Sequence, residues 1–182
     1  MKFSAVPKYI FRAITDISPN FLALRGINFL MLDLDNTIAP YSRHSPSEAV
    51  KRWIQTLRAS GAGLFIVSNS RRARRVTDFA DALGVGYIGR ARKPSVAGIM
   101  QALAETGHTA RESALVGDQA YVDALAANRA GVLSILVRPV SLSNPALAAR
   151  YFLETPFRAA CRNKITAPPP PAASREKNCS DI

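Results

Sequence analysis

The stretch Phe29-Leu30-Met31-Leu32-Asp33-Leu34-Asp35-Asn36-Thr37 decides the fold. Successive side chains of a strand point to opposite faces. Four apolar residues in a row therefore describe a strand buried on both faces, the habit of a parallel sheet covered by helices. The run feeds directly into two carboxylates one residue apart. In such sheets ligands bind beyond the carboxyl ends of the strands, so a sharp turn after the strand would bring both acids to one site. One carboxylate can attack phosphorus as a nucleophile. The other can protonate the leaving oxygen and later take a proton from water.

Outward from this strand, short apolar runs alternate with helices. Ser45-Pro46-Ser47-Glu48 combines a capping box with proline at the first helical position, so a helix is expected from Ser45. Val50, Trp53, Ile54 and Leu57 recur at helical spacing, which makes the single Trp a core residue, and Gly61 closes the element. Residues 64–68 read as the second strand, 70–83 as a helix and 85–88 as the third strand. A helix carrying Val96, Ile99, Met100 and Leu103 is expected from Pro94 to just before Gly107. Residues 113–117 form the fourth strand, a helix runs through Asn128, and 133–138 form the fifth. The reading is an α/β, doubly wound (Rossmann-like) parallel five-stranded sheet. Around this domain (27–140), residues 1–26 are expected as a helical lead-in packing on the core. Residues 141–165 are expected as a helical extension with Pro145 at its start, and the Pro-rich 166–182 as a disordered tail.

Three further strand ends carry polar residues. Ser68, followed by Asn69, offers a hydroxyl for a phosphoryl oxygen, helped by backbone N–H groups where the next helix begins. Lys93, beside Pro94, can neutralise nucleophile and phosphate. Asp118, after Gly117, and Asp123 supply hard oxygens of the kind Mg²⁺ prefers, and such an ion would screen a carboxylate nucleophile from the phosphate it attacks.

Together these residues resemble the haloacid dehalogenase superfamily: Asp33 and Asp35 in the first motif, Ser68 in the second, Lys93 in the third, Asp118 and Asp123 in the fourth. The likeness spans residues 29 to about 138. Gly117-Asp118-Gln119, Asn128-Arg129 before Gly131, Asp16-Ile17 and Gly26-Ile27 are similar to the YqeG-type group; Ser70 departs from it, since Asn is usual there. The resemblance implies Asp33, Asp35, Ser68 and Lys93 as catalytic residues. It implies Mg²⁺ held by Asp33, Asp35, Asp118 and Asp123, and an acid at Asp35 implies a phosphatase. Thr37, Asn69, Arg71 and Arg72 are the expected substrate contacts. The short spacings from Asp35 to Ser68 and from Ser68 to Lys93 leave no room for the cap domain many members insert. Related enzymes of mitochondria and plastids act on phosphatidylglycerophosphate, so a lipid substrate is an expectation here.

The formal net charge is +11. Residues 1–140 carry 18 basic against 10 acidic side chains, and four of those acids belong to the one site. The surface is therefore positive and favours anionic partners, whether phosphate esters, acidic lipid headgroups or nucleic acid. Arg71-Arg72-Ala73-Arg74-Arg75 is expected at the start of the helix after Ser68, with Arg71, Arg74 and Arg75 opposite its buried face. There they could dock headgroups or form a solvated basic face. The extension with Tyr151, Phe152, Phe157, Arg158 and Arg162 could face a membrane or pack on the domain. No run approaches the roughly 18 apolar residues of a membrane span, and no secretory signal is read. The expected location is cytoplasmic, with peripheral contact at the inner membrane face. Cys161 and Cys179 are expected as free thiols, and His44 and His108 as surface or loop residues. Two rival classes fit the sequence less well. A phosphoacceptor signalling module lacks Asp-x-Asp on its first strand. A basic nucleic-acid-binding protein, its phosphatase site acting on polynucleotide ends or vestigial, would show an aromatic-basic recognition pattern, which is missing.

Overall fold

The computed structural model describes residues 4–165. One sheet runs in the order β4-β3-β2-β5-β6-β1-β7, every pairing parallel. Its strands are β1 (Tyr9–Phe11), β2 (Phe29–Leu32), β3 (Gly63–Val67), β4 (Gly86–Ile88), β5 (Ser113–Gly117), β6 (Leu133–Leu136) and β7 (Lys164–Ile165). The central strand β2 is buried throughout. Leu30 and Leu32 face one apolar layer with Trp53, Leu57, Val76 and Phe79, while Phe29 and Met31 face another with Ile99, Leu103 and Ala126. The unbroken apolar run thus reflects helices on both faces: α2 (Glu48–Ala59) and α3 (Ala73–Leu83) on one, α4 (Ala97–Thr106) and α5 (Leu125–Ala130) on the other.

The sheet has seven strands, two more than the sequence reading expects. The lead-in contributes β1 as well as α1 (Pro19–Ala23), and β1 lies between β6 and β7. Both extra strands are two or three residues long, too short for any periodicity to show. Partners hold the lead-in down: the Trp53 indole N–H donates to the Ile17 carbonyl at 2.8 Å. The Asn128 amide donates to Ser4 and Val6 carbonyls at 2.6 and 3.0 Å, and accepts from the Ser134 hydroxyl at 2.8 Å.

Helix starts also shift. The Ser47 hydroxyl, rather than Ser45, caps α2 by accepting from the Val50 N–H, and Glu48 pairs with Lys51 instead of closing a capping box. α3 begins at Ala73 rather than Ser70, because the Ser70 N–H is taken by the Ser68 hydroxyl in the preceding loop. α4 begins at Ala97, three residues beyond the expected Pro94. Only a loop, α2 and β3 separate Asp35 from Ser68, and only α3, β4 and short loops separate Ser68 from Lys93, so no cap is inserted. The extension forms α6 (Pro145–Leu153), α7 (Thr155–Ala160) and then β7. Among the described residues no helix is long and apolar enough to cross a membrane. The expectations for 166–182, and for Cys179, lie outside the described residues.

Candidate active site

Strands β2, β3 and β5 lie side by side, so Asp33, Ser68 and Asp118 emerge from neighbouring carboxyl ends. The Asp33 N–H donates to the Val116 carbonyl at 2.8 Å, extending the ladder one residue past β2. The chain then turns tightly: the Leu34 carbonyl accepts from Thr37, Ile38 and Ala39 N–H groups, and Asn36 is left-handed at φ 66°. Asparagine tolerates that conformation better than most residues. Its buried amide exchanges hydrogen bonds with the Ser141 main chain at 2.8 and 2.9 Å, which ties the turn to the start of the C-terminal extension.

The turn leaves Asp33 in a buried group with Asp118 and Asp123, whose carboxylate oxygens lie within 4.8 Å of one another. The Lys93 ammonium sits 2.8 Å from an oxygen of Asp33 and 2.8 Å from one of Asp123. Burial raises the Asp33 carboxyl to about 6 even against the opposing pull of Lys93. Burial, then repulsion from Asp123 and Asp33, raises Asp118 to about 8. Burial pulls the Lys93 ammonium down, but the Asp123 and Asp33 carboxylates outweigh it and hold its pKa above the ordinary lysine range.

Three carboxylates against one ammonium leave the group short of positive charge. Asp118 Oδ2 is buried with no hydrogen-bond partner, its nearest cation being the Arg150 guanidinium at 3.6 Å. Hard oxygens, an orphaned carboxylate atom and excess negative charge fit a small divalent cation. Asp123 depends on a glycine: a Cβ at Gly117 would stand 2.2 Å from the Asp123 carboxyl carbon. Residues Ala120–Ala124 form a π-helical turn, and the Gln119 N–H donates to Asp123 at 3.0 Å.

Arg75 departs from the solvated face expected of it, and three other site residues take partners within the site. The Asp35 carboxylate does not join the metal-type group; it accepts from the Arg75 guanidinium at 2.8 Å. Arg75 itself is not on a solvated face. It is buried over the Phe79 ring and donates to the Pro40 carbonyl at 3.0 Å and to that of Arg43. A guanidinium can reach back past its own helix to a half-buried acid, which spacing along the helix does not reveal. Thr37 is buried, and its hydroxyl donates to Asp33 at 3.1 Å and lies 3.4 Å from Asp118. The Asn69 side chain is committed to the Lys93 main chain, donating to its carbonyl and accepting from its N–H, both at 2.8 Å. It positions the lysine.

Asp33, Asp35, Ser68, Asn69, Arg71 and Arg72 share the wall of an open pocket of 390 Å³, together with Tyr41, Gln119 and Arg150. The sequence reading missed Tyr41, Asn36, Arg150 and the structural part of Arg158. Arg158 is buried and donates to the main-chain carbonyl of Asp118 and, at 3.3 Å, to that of Val137. Phe157 meets the Tyr121 ring edge-on at 4.6 Å, and Cys161 is buried. The extension therefore packs on the domain. The only hint was Arg150, Glu154 and Arg158 spaced by four in an otherwise apolar segment.

A capless parallel sheet with acids at its central strand ends is the architecture of haloacid dehalogenase-type hydrolases. Residues 90–150 match a family model described as HAD-hydrolase-like. Over 139 residues the chain is 32% identical to the probable phosphatase YqeG of Bacillus subtilis, covering 76% of this chain and 80% of that protein. The chain belongs to the haloacid dehalogenase superfamily, in the group of the YqeG phosphatase. The fold is shared with the cobalt-bound deoxy-D-mannose-octulosonate 8-phosphate phosphatase of Haemophilus influenzae (TM-score 0.51, 15% identity, 64% of this chain and 71% of that one). It is shared also with a HAD family hydrolase of Deinococcus radiodurans solved with phosphate and sodium (TM-score 0.52, 14% identity, 78% and 92%).

Proposed function

We propose that the chain is a Mg²⁺-dependent phosphomonoesterase that works through an aspartyl-phosphate on Asp33 and acts on phosphatidylglycerophosphate at an anionic membrane surface. The observation that carries the chemistry is Asp33 itself: it shares a pocket wall with Asp35 and is grouped behind that wall with Asp118, Asp123 and Lys93.

An Asp33 oxygen attacks phosphorus and the bond to the ester oxygen breaks. Asp35, held by Arg75 at the pocket wall, gives its proton to the departing oxygen. Water then attacks the phosphorus of the acyl phosphate and Asp35 takes its proton. The bond to Asp33 breaks and inorganic phosphate leaves. Lys93 and Thr37 hold the Asp33 carboxylate in place, and Lys93 offsets charge building on the phosphoryl oxygens. The Ser68 hydroxyl, which lines the same pocket, holds one of those oxygens. Bound Mg²⁺ would lie on Asp33, Asp118 and Asp123 and supply charge stabilisation to the transferring group.

The lipid part of the reading is supported by the extension. Pro145, Ala146, Ala149, Phe152, Leu153 and Pro156 are all exposed and recur at helical spacing, with Phe152 at 78% and Leu153 at 72% exposure. The same segment turns Arg150, Glu154 and Arg158 toward the domain. Surface helices ordinarily do the reverse, and an outward apolar stripe beside basic residues suits a headgroup–acyl boundary. Exposed Arg71, Arg72 and Arg74 add positive charge near the mouth.

Phosphate release with Mg²⁺ should be compared on phosphatidylglycerophosphate in acidic vesicles, glycerol 3-phosphate and nucleotides. Preference for the vesicle substrate, reduced by Phe152→Ser with Leu153→Ser, is the expected result. Equal rates on soluble esters would remove the lipid assignment, and activity surviving Asp33→Asn would overturn the mechanism.

A further inference from the structure

Beside the catalytic pocket lies a second cleft of 520 Å³ lined by Asn69, Arg71, Arg90 and Arg92. We propose that it is a subsite for a second phosphoryl group on the same substrate, so that the natural ligand is a phosphomonoester carrying another phosphate close to the scissile one. The proposal rests on the phosphatase reading above and deepens it.

The two cavities are contiguous, because both are lined by Asn69 and Arg71. All three arginines are exposed, and none of their side chains has an ion pair or hydrogen bond among the described residues. Arg75, Arg150 and Arg158, by contrast, each face a carboxylate. Three like charges lining one cleft without an acid repel each other, and an anion relieves that repulsion. Guanidinium forks match phosphate oxygens in geometry as well as charge.

The backbone makes the same point. Arg90 and Arg92 are both left-handed, at φ 51° and 57°, with buried Ala91 between them. That conformation costs free energy for any residue with a Cβ, and glycine would relieve it at both positions. The result is that Ala91 packs inward, its N–H donating to the Ser68 carbonyl at 2.9 Å, while its two neighbours stay in solvent. The next residue is Lys93, on Asp33 and Asp123. One loop thus carries the lysine of the reacting centre and two arginines of the adjoining cleft. Such strain is characteristic of functional sites.

The second phosphoryl group has two chemical sources: the phosphodiester of a lipid headgroup, or the other phosphate of a soluble bisphosphate. Matched pairs separate them. Short-chain phosphatidylglycerophosphate is compared with short-chain phosphatidic acid, and fructose 1,6-bisphosphate with fructose 6-phosphate, each as a ratio of kcat/KM. The wild type is expected to prefer the doubly phosphorylated member of one pair by about tenfold or more, the worth of one charge-assisted contact. Arg90→Gln with Arg92→Gln should erase that preference through KM, and the pair in which it occurs names the source. A ratio unchanged by the substitutions, or no preference in either pair, overturns the subsite. Were no substrate hydrolysed, the phosphatase reading would fall. The subsite would then be decided by metal-free calorimetric titration with pyrophosphate against phosphate. Tighter pyrophosphate binding, lost in the double variant, supports it; equal affinity in both proteins overturns it.

Discussion

Replacing Arg75 by methionine is expected to damage both stability and chemistry, and the structure sets the size of each effect. The guanidinium makes one charge-assisted bond to Asp35 at 2.8 Å and two bonds to the carbonyls of Pro40 and Arg43. At roughly 1.5–3 kcal/mol for the first and about 1 for each of the others, the loss is on the order of 3–5 kcal/mol, the range found when one partner of a buried pair is removed. The Asp35 side chain is 14% exposed and can recover some hydration, so the lower end, about 3 kcal/mol, is expected. For a chain of this length that lowers Tm by roughly 6–12 °C. Arg75→Lys restores a charge but not the fork, and should recover only part of the loss. In catalysis, Asp35 without Arg75 is no longer held for proton transfer. An alkyl phosphate, whose leaving group needs that proton, should lose roughly 10²-fold or more in kcat. An aryl phosphate with an acidic leaving group should lose much less. Calorimetry and a plot of kcat against leaving-group pKa check both statements. A methionine variant with unchanged Tm and an unchanged slope would refute the coupling of Arg75 to Asp35.

Other expectations concern the metal, a glycine and the lead-in. Asp33 and Asp118 titrate at about 6 and about 8 in the metal-free fold, above the ordinary 3.8 of an unfolded chain. Raised carboxyls favour the folded state when protonated, so metal-free stability should fall as pH rises from about 4 to about 8. Saturating Mg²⁺ should flatten that slope and raise Tm, as thermal melts across the range with and without chelator would show. Gly117→Ala forces Asp123 aside, since its new Cβ would lie 2.2 Å from the carboxyl carbon. Mg²⁺ affinity by calorimetry should weaken roughly 10–100-fold. Asn128→Ala leaves the Ser4 and Val6 carbonyls and the Ser134 hydroxyl without their partner. A loss of about 1–3 kcal/mol is expected in urea titration, with early hydrogen exchange in β1.

Much of this molecule is legible in its sequence. The central strand announced itself because burial on both faces leaves no polar position, and the acids fell at strand ends because ligands bind there. Ser68 and Asp118 directly follow β3 and β5. What stayed hidden involves contacts between segments far apart in the chain. Arg75 looked like a solvated residue because helical spacing describes only its own helix, whereas its guanidinium reaches Asp35, forty residues back. Arg150 and Arg158 approach Asp118 from an extension whose sequence gives no register with β5. Spacing also does not show that Thr37 and Asn69 bond to other site residues, Asp33 and the Lys93 main chain. β1 exists because β6 offers it an edge, and β7 because β1 does, not because their own few residues demand a strand.

The central claim is covalent: the phosphoryl group passes through Asp33. Asp35→Asn should slow hydrolysis of the acyl phosphate more than its formation from an aryl phosphate, so the intermediate should build up. The direct measurement is rapid acid quench of that variant during Mg²⁺-dependent turnover, followed by peptide mass spectrometry. A phosphoryl adduct on Asp33, absent without metal and absent in Asp33→Asn, is expected. Turnover with no adduct, or with the phosphoryl group on another residue, would contradict it.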